Sequence, residues 1–188
     1  MTETEKMLAG LNYQADNEEL LSELYKCREW LHDYNRLRPS AIEELERMLR
    51  QRLGKCGSVV KIVQPFYCDY GSHIEVGENF FANYNLTILD EAMVRIGDNC
   101  FIGPNVNIYT ACHSTTPSER NAMIQWAEAV TIGNNVWIGG NTTILPGVTI
   151  GDNVTIGAGS VVTKDIPSST VAVGNPCKPV KKVEQDSI

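Results

Sequence analysis

From Val130 onward the third residue of every six is aliphatic. The segments VTIGNN, VWIGGN, TTILPG, VTIGDN, VTIGAG and SVVTKD put Ile132, Ile138, Ile144, Ile150, Ile156 and Val162 on one beat. With about a fifth of residues being Ile, Leu or Val, six successive hits arise by chance on the order of once in ten thousand. The same beat runs through Ile96, Ile102 and Ile108, and more weakly through Val76, Ala82 and Ile88. Strand side chains alternate, so positions one and three of each hexapeptide share a face. The Gly-Asn-Asn and Gly-Asp-Asn that follow tolerate positive φ and turn the chain. Strand and corner in alternation predict a stack of flat-sided coils at a spacing of roughly 4.8 Å, lined inside by the third-place aliphatics. A sandwich of hairpins would need turn signals every eight to twelve residues, and the repeat excludes it.

The beat stops after Ile108 and resumes at Val130, so residues 110–129 form an excursion from the coil. His113, in IYTACH, stands at the break. Residues 1–57 read as a helical region and 58–188 as the coil domain. From Glu18, the positions of Leu20, Leu21, Leu24, Cys27, Leu31 and Tyr34 make a helical stripe, with Asp16 where an N-cap would stand. A second helix is expected after Pro39, where Ser40 and Glu43 have the spacing of a capping box, and GKCGS ends it. Two amphipathic helices this short must lie against something larger.

A net charge of −7 argues against nucleic acid as a partner. The chain has no run of eighteen apolar residues for a membrane span, and MTETEKMLAGLNYQ lacks a signal-peptide core, which predicts a cytoplasmic protein. The six cysteines lack zinc spacing and read as small buried hydrophobes.

These hexapeptides resemble the left-handed parallel β-helix acyltransferases. Over nearly its whole length the chain is similar to their maltose and galactoside O-acetyltransferase branch. The resemblance is carried by EKMLAG with Asp16, CDYG (68–71), ENFFAN (78–83), IYTACH, IGNNVWIGG (132–140), GAGSVVTKDIP (157–167) and VGNPCK (173–178). It implies a mainly β, left-handed parallel β-helix with a small N-terminal helical region and a protruding loop. The handedness comes from the family, since general rules favour right-handed crossovers. It further implies acetyl-CoA as co-substrate without a metal, a small-molecule hydroxyl acceptor such as a sugar, and a homotrimer with sites between neighbouring copies.

A lone histidine is more often structural than catalytic, but His113 opens a long loop on a rigid scaffold, where function concentrates. The family's catalytic histidine falls at this position. Acetyl transfer to an alcohol needs a base with a pKa near the working pH, and imidazole fits, a contribution of about 10²–10⁴-fold. Cys112 offers a rival covalent route, yet neighbouring residues in a strand face opposite ways, which favours direct transfer. The resemblance assigns Asn83 to the oxyanion and to the acceptor; a plain corner residue is the alternative. It places Gly140, Ala158, Thr163, Lys164, Lys178 and Lys181 at the cofactor, where lysines suit phosphate as point charges. Trp137 packs near the cofactor arm or is an outer-face ring. Asp16, Asp69 and Glu91 join Asn83 at the acceptor, with Asp16 equally readable as a helix cap.

The excursion departs from the family. Ser114 stands where proline is usual, Met123 where glycine is common, Ile124 for an acidic residue and Ala129 for a proline. The acceptor is therefore open: an antibiotic or other hydroxyl compound is the alternative to a sugar. A zinc carbonic anhydrase on the same coil would need three placeable imidazoles, and only His73 and His113 lie in the repeat region. A non-catalytic assembly coil would not need His113, Asn83 and Lys164 together.

Overall fold

The computed structural model describes residues 1–183. Its bulk is a three-faced parallel β-helix. The first face stacks Lys55–Cys56, Ile74–Val76, Val94–Ile96, Val130–Ile132 and Thr149–Ile150. The second stacks Val60–Ile62, Phe80–Ala82, Phe101–Ile102, Trp137–Ile138, Thr155–Ile156 and Thr170–Val173, and the antiparallel strand Lys178–Lys182 closes its edge. The third stacks Phe66–Cys68, Leu86–Leu89, Asn107–Tyr109, Thr143–Ile144 and Val161–Val162. The register superposes the predicted beat: Ile88, Ile108, Ile144 and Val162 are successive partners, as are Val76, Ile96, Ile132 and Ile150. All are buried, the weak-beat positions as fully as the strong ones.

The corners turn at the expected Gly-Asn-Asn and Gly-Asp-Asn segments. The left-handed backbone falls on asparagines (Asn79, Asn99, Asn135 and Asn153 at one corner), not on the glycines that precede them. Asparagine tolerates this region, and its side chains add a ladder between coils. Asn79 Nδ2 donates to Asn99 at 2.9 Å, and Asn135 Nδ2 to Asn153 at 2.9 Å. The glycines serve close approach: a Cβ on Gly97 would lie 2.8 Å from the backbone carbon of Gly133 in the next coil.

The N-terminal region forms α1 (Glu3–Leu8), a short strand Tyr13–Gln14, α2 (Glu18–Arg36) and α3 (Ile42–Arg52). The first coil strand, Lys55–Cys56, begins inside the segment expected to be helical. Two expected caps are corrected. Asn17, not Asp16, caps α2, accepting from Glu19 N at 3.0 Å. The cap of α3 is Ala41, without a side-chain bond, so Ser40 and Glu43 make no capping box. The helices cover the open end of the coil: Cys27, Leu31, Tyr34, Met48, Leu49 and Leu53 share one continuous core with Val60 and Phe66. Tyr34, fully buried, donates its hydroxyl to Ile62 O at 2.6 Å.

The excursion is ordered as a hairpin: Ala111–His113 pairs antiparallel with Ile124–Ala127, and α4 (Pro117–Asn121) lies at the tip. The strand Tyr13–Gln14 joins the other side of Ile124–Ala127, so the N-terminus and the excursion make one three-stranded sheet.

Candidate active site

Where the third face turns into the first, successive coils stack Asp69–Gly71, Asp90–Glu91 and Thr110 on one another. Asp90 is 0% exposed and organises this corner. Its carboxylate accepts from the backbone N–H of Asp69 and Tyr70 at 2.9 Å and of Gly71 at 2.7 Å. Its carbonyl accepts from His73 Nδ1 at 2.6 Å. His73 is therefore a structural histidine. Thr110 Oγ1 donates to Leu89 O at 2.8 Å, accepts from Ala92 N at 2.9 Å and lies 3.5 Å from Glu91 Oε2.

Asp69 and Glu91 meet at this corner as a carboxyl pair. Burial, then the charge of Asp69, pushes Glu91 up to about 8. Burial also raises Asp69, against a lowering by its hydrogen bond from Glu91. Burial and the Asp69 charge favour the protonated form of Glu91, and its one proton is taken up in the bond to Asp69, so the corner presents carboxyl oxygens that accept.

Thr110 leads directly into Ala111–His113, which carries His113 off this corner into solvent. Its ring makes no hydrogen bond to any described residue; His32, on α2, lies 3.0 Å from Arg36 Nη1. The turn after His113 is braced by Ser114, whose hydroxyl donates to Glu119 at 2.5 Å and whose carbonyl accepts from Arg120 at 3.0 Å. Cys112 is half-buried, and burial, then Glu128 and Glu91, pushes its thiol up to about 11. A thiol held protonated is a poor nucleophile.

Asp16 is exposed, and its carboxylate accepts from Gln14 Nε2 at 2.8 Å, the same amide that donates to Ala122 O at 2.8 Å. With the cap assigned to Asn17, Asp16 is left facing the excursion. Asn83 lies at a different corner, between the second and third faces, where its Oδ1 accepts from Tyr84 N. The strand Leu86–Leu89, about 13 Å long at ~3.3 Å per residue, separates that corner from the one leading to His113.

The cofactor candidates also form two lines. Gly140 and Ala158 lie at the Asn83 corner, and Thr163 and Lys164 lie at the His113 corner, in later coils. A Cβ on Gly140 would lie 3.0 Å from Pro104 O, whereas one on Gly159 would meet nothing within 4 Å. Gly140 is thus small because Pro104 packs against it, whereas the corner at Gly159 is open to a ligand arm. Lys164, Lys178, Lys181 and Lys182 are exposed, and among the described residues none is ion-paired. Cationic ends and small corners fit a phosphate-bearing thioester. Trp137 is 59% exposed, in register with Phe101, an outer-face ring. Among the described residues no group of three His, Cys, Asp or Glu could hold a metal ion.

Sequence reading missed Asp90, Thr110, Tyr13 and Gln125. Aligning whole coils, rather than hexapeptides, would have set Asp90 against Asp69–Gly71.

Residues 6–57 match the family model of the maltose acetyltransferase hexapeptide capping motif, and residues 129–164 that of the bacterial transferase hexapeptide. Residues 93–108 match the hexapeptide repeat of succinyl-transferase. A putative acetyltransferase of Saccharomyces cerevisiae is 49% identical over 185 residues, 97% of this chain and 94% of its own. The crystal structure of a maltose O-acetyltransferase from Clostridium difficile 630 superposes with a TM-score of 0.97 at 51% identity, covering 98% of this chain and 99% of that one. A galactoside acetyltransferase in complex with coenzyme A superposes with a TM-score of 0.93 at 39% identity, covering 98% and 92%. The chain belongs to the hexapeptide-repeat acetyltransferases, in their maltose and galactoside O-acetyltransferase branch, and is an acetyl-CoA-dependent enzyme.

Proposed function

We propose that the protein transfers acetyl from acetyl-CoA to a hydroxyl of a sugar-like acceptor, directly, with His113 as general base. The observation that carries this reading is the placement of His113: it leaves, with its ring making no hydrogen bond to a described residue, the corner where the Asp69 and Glu91 carboxyls, sharing one proton, present acceptor oxygens to a polyhydroxy ligand. The acceptor's oxygen loses its proton to the imidazole as it attacks the thioester carbonyl. The imidazolium then returns that proton to the departing thiolate. Asp16, Asp69, Glu91 and Asn83 hold the acceptor. Gly140, Ala158, Thr163, Lys164, Lys178 and Lys181 hold the co-substrate.

Asn83 donates to the tetrahedral oxyanion. A strand's length separates its corner from the one leading to His113 in one chain, which supports a trimer in which the two residues meet across a subunit boundary. Dependence on acetyl-CoA and six unpaired cysteines suit a reducing cytoplasm.

Thiol release from acetyl-CoA tests the reading with maltose, methyl β-galactoside, glucosamine and a hydroxylated antibiotic as acceptors. A sugar should accept and His113→Ala should lose at least about a hundredfold in kcat. Transfer by His113→Ala at the parent rate removes the base, and preference for the antibiotic moves the acceptor class.

A further inference from the structure

One row of the three-stranded sheet joins residues from distant parts of the chain: Tyr13 stands opposite Gln125, and Gln125 opposite His113. Residues directly opposite on antiparallel strands project to the same face with Cβ atoms about 4.5–5.5 Å apart. The Gln125 side chain therefore lies between a phenol and the imidazole. The Tyr13 hydroxyl donates to Gln125 Oε1 at 3.3 Å. Tyr13 is 4% exposed, and burial, then the charges of Glu91, Tyr70 and Asp69, pushes its ionisation far above the ordinary tyrosine range, so it remains a donor. In this arrangement the Gln125 amide turns its oxygen toward Tyr13, and an amide oxygen has a second lone pair to offer.

We propose that Tyr13 and Gln125 are positioning residues for His113: Gln125 Oε1, held by the Tyr13 hydroxyl and opposite His113 in the strand pair, comes to accept the Nδ1 hydrogen of His113 by a side-chain rotation, a bond the structure itself does not make, and leaves Nε2 free to take the acceptor's proton. The inference rests on the reading of His113 as the base. A histidine base needs a third group to set its tautomer and aim. A neutral amide does this without stabilising the imidazolium as a carboxylate would, so the free base persists at mildly acid pH. The strands of this row carry no charged side chain. The ionisable groups packed around it are Asp69, Tyr70 and Glu91 at the corner, Glu3 and Lys6 on α1, Asp16 after the first strand, Cys112 beside His113, Glu119 and Arg120 on α4, and Glu128 after the return strand; all stay constant in the comparison below. The row also explains why the N-terminal segment belongs to the site: Tyr13 aligns the base and Asp16, three residues on, faces the acceptor.

Two measurements test this on the full-length protein. Long-range proton–nitrogen correlation NMR should show His113 of the parent as the Nδ1–H tautomer, and Gln125→Leu should shift it toward Nε2–H. Rates of thiol release against pH, with the best acceptor of the panel, should show kcat lowered about tenfold or more in Gln125→Leu and a few-fold in Tyr13→Phe, with the KM for acetyl-CoA unchanged. Gln125→Glu should recover most of kcat and move the acid limb of its pH profile up by about one unit, because a carboxylate favours the imidazolium. A parent tautomer of Nε2–H, or an unmoved acid limb in Gln125→Glu, overturns the positioning role while an inactive His113→Ala keeps the base. Activity in His113→Ala overturns the base itself. Should Gln125→Leu fail to fold, the near-isosteric Tyr13→Phe and Gln125→Glu decide.

Discussion

Asn35 of α2 bonds both backbone groups of Phe66, accepting from its N–H and donating to its carbonyl, each at 2.9 Å. Phe66 opens the edge strand of the third face, which has no coil before it, and the side-chain amide stands in for that missing strand. Asn35→Leu leaves two backbone groups unpaired at a fully buried residue, at about 1–3 kcal/mol each. Thermal melts should fall by roughly 4–24 °C, at about 2–4 °C per kcal/mol. Asn35→Asp, keeping only the acceptor, should fall between.

Glu91 sets a pH dependence of stability. Its folded value of about 8 lies above the ordinary carboxylate value, so the fold favours the protonated form. That stability is fully present below the unfolded value and is lost as pH rises through about 8, each unit of rise costing about 1.4 kcal/mol. Glu91→Gln should match the parent at pH 4, exceed it increasingly up to pH 8, and keep that lead at pH 9. Parallel melting curves across that range would refute the shared proton.

Met123 has φ of 57°, in the left-handed region that costs a residue with a Cβ roughly 1–2 kcal/mol. Its carbonyl is held by Ala15 N at 3.0 Å, which maintains the strained turn. Met123→Gly should raise the melting temperature by about 2–8 °C, less what glycine loses in unfolded-chain entropy. Scanning calorimetry checks this.

Cys112 should be dispensable. Its thiol, pushed up to about 11 by burial, is protonated at neutral pH and lies in the strand beside His113 with the opposite facing. Cys112→Ser should keep kcat within about twofold. Quenched-flow samples of the parent should carry no acetyl group on Cys112 by intact mass.

Asp16 and Asn17 should separate by readout. Asn17→Ala removes the α2 cap and should cost about 0.5–2 kcal/mol of stability with acceptor KM unchanged. Asp16→Asn should leave the melt unchanged and raise the acceptor KM. A raised KM in Asn17→Ala alone would reassign the contact.

The coil was legible because its code is local. A six-residue repeat states which side chain turns inward at each strand, and even Ala82 in the weak block is fully buried as its place in the beat requires. The point where the excursion leaves, next to His113, was legible for a related reason, since a break in a strict repeat marks where the chain leaves its scaffold. Division of labour at the corners was not legible: Gly97 and Gly133 are glycine because the next coil's backbone lies against each, at Gly133 and at Gly151 respectively, neighbours distant in sequence.

What the sequence determined alone was the solenoid, its interior and the point of excursion, because each depends on spacing within a few residues. Only the folded chain decided that Asn17 and not Asp16 caps α2, that Asp90 gathers the amides of Asp69 to Gly71, and that Tyr13 reaches Gln125 across 112 residues. Those pairings depend on where the helices and the hairpin come to rest against the coil. That placement is set by packing across the whole molecule, and no local periodicity records it.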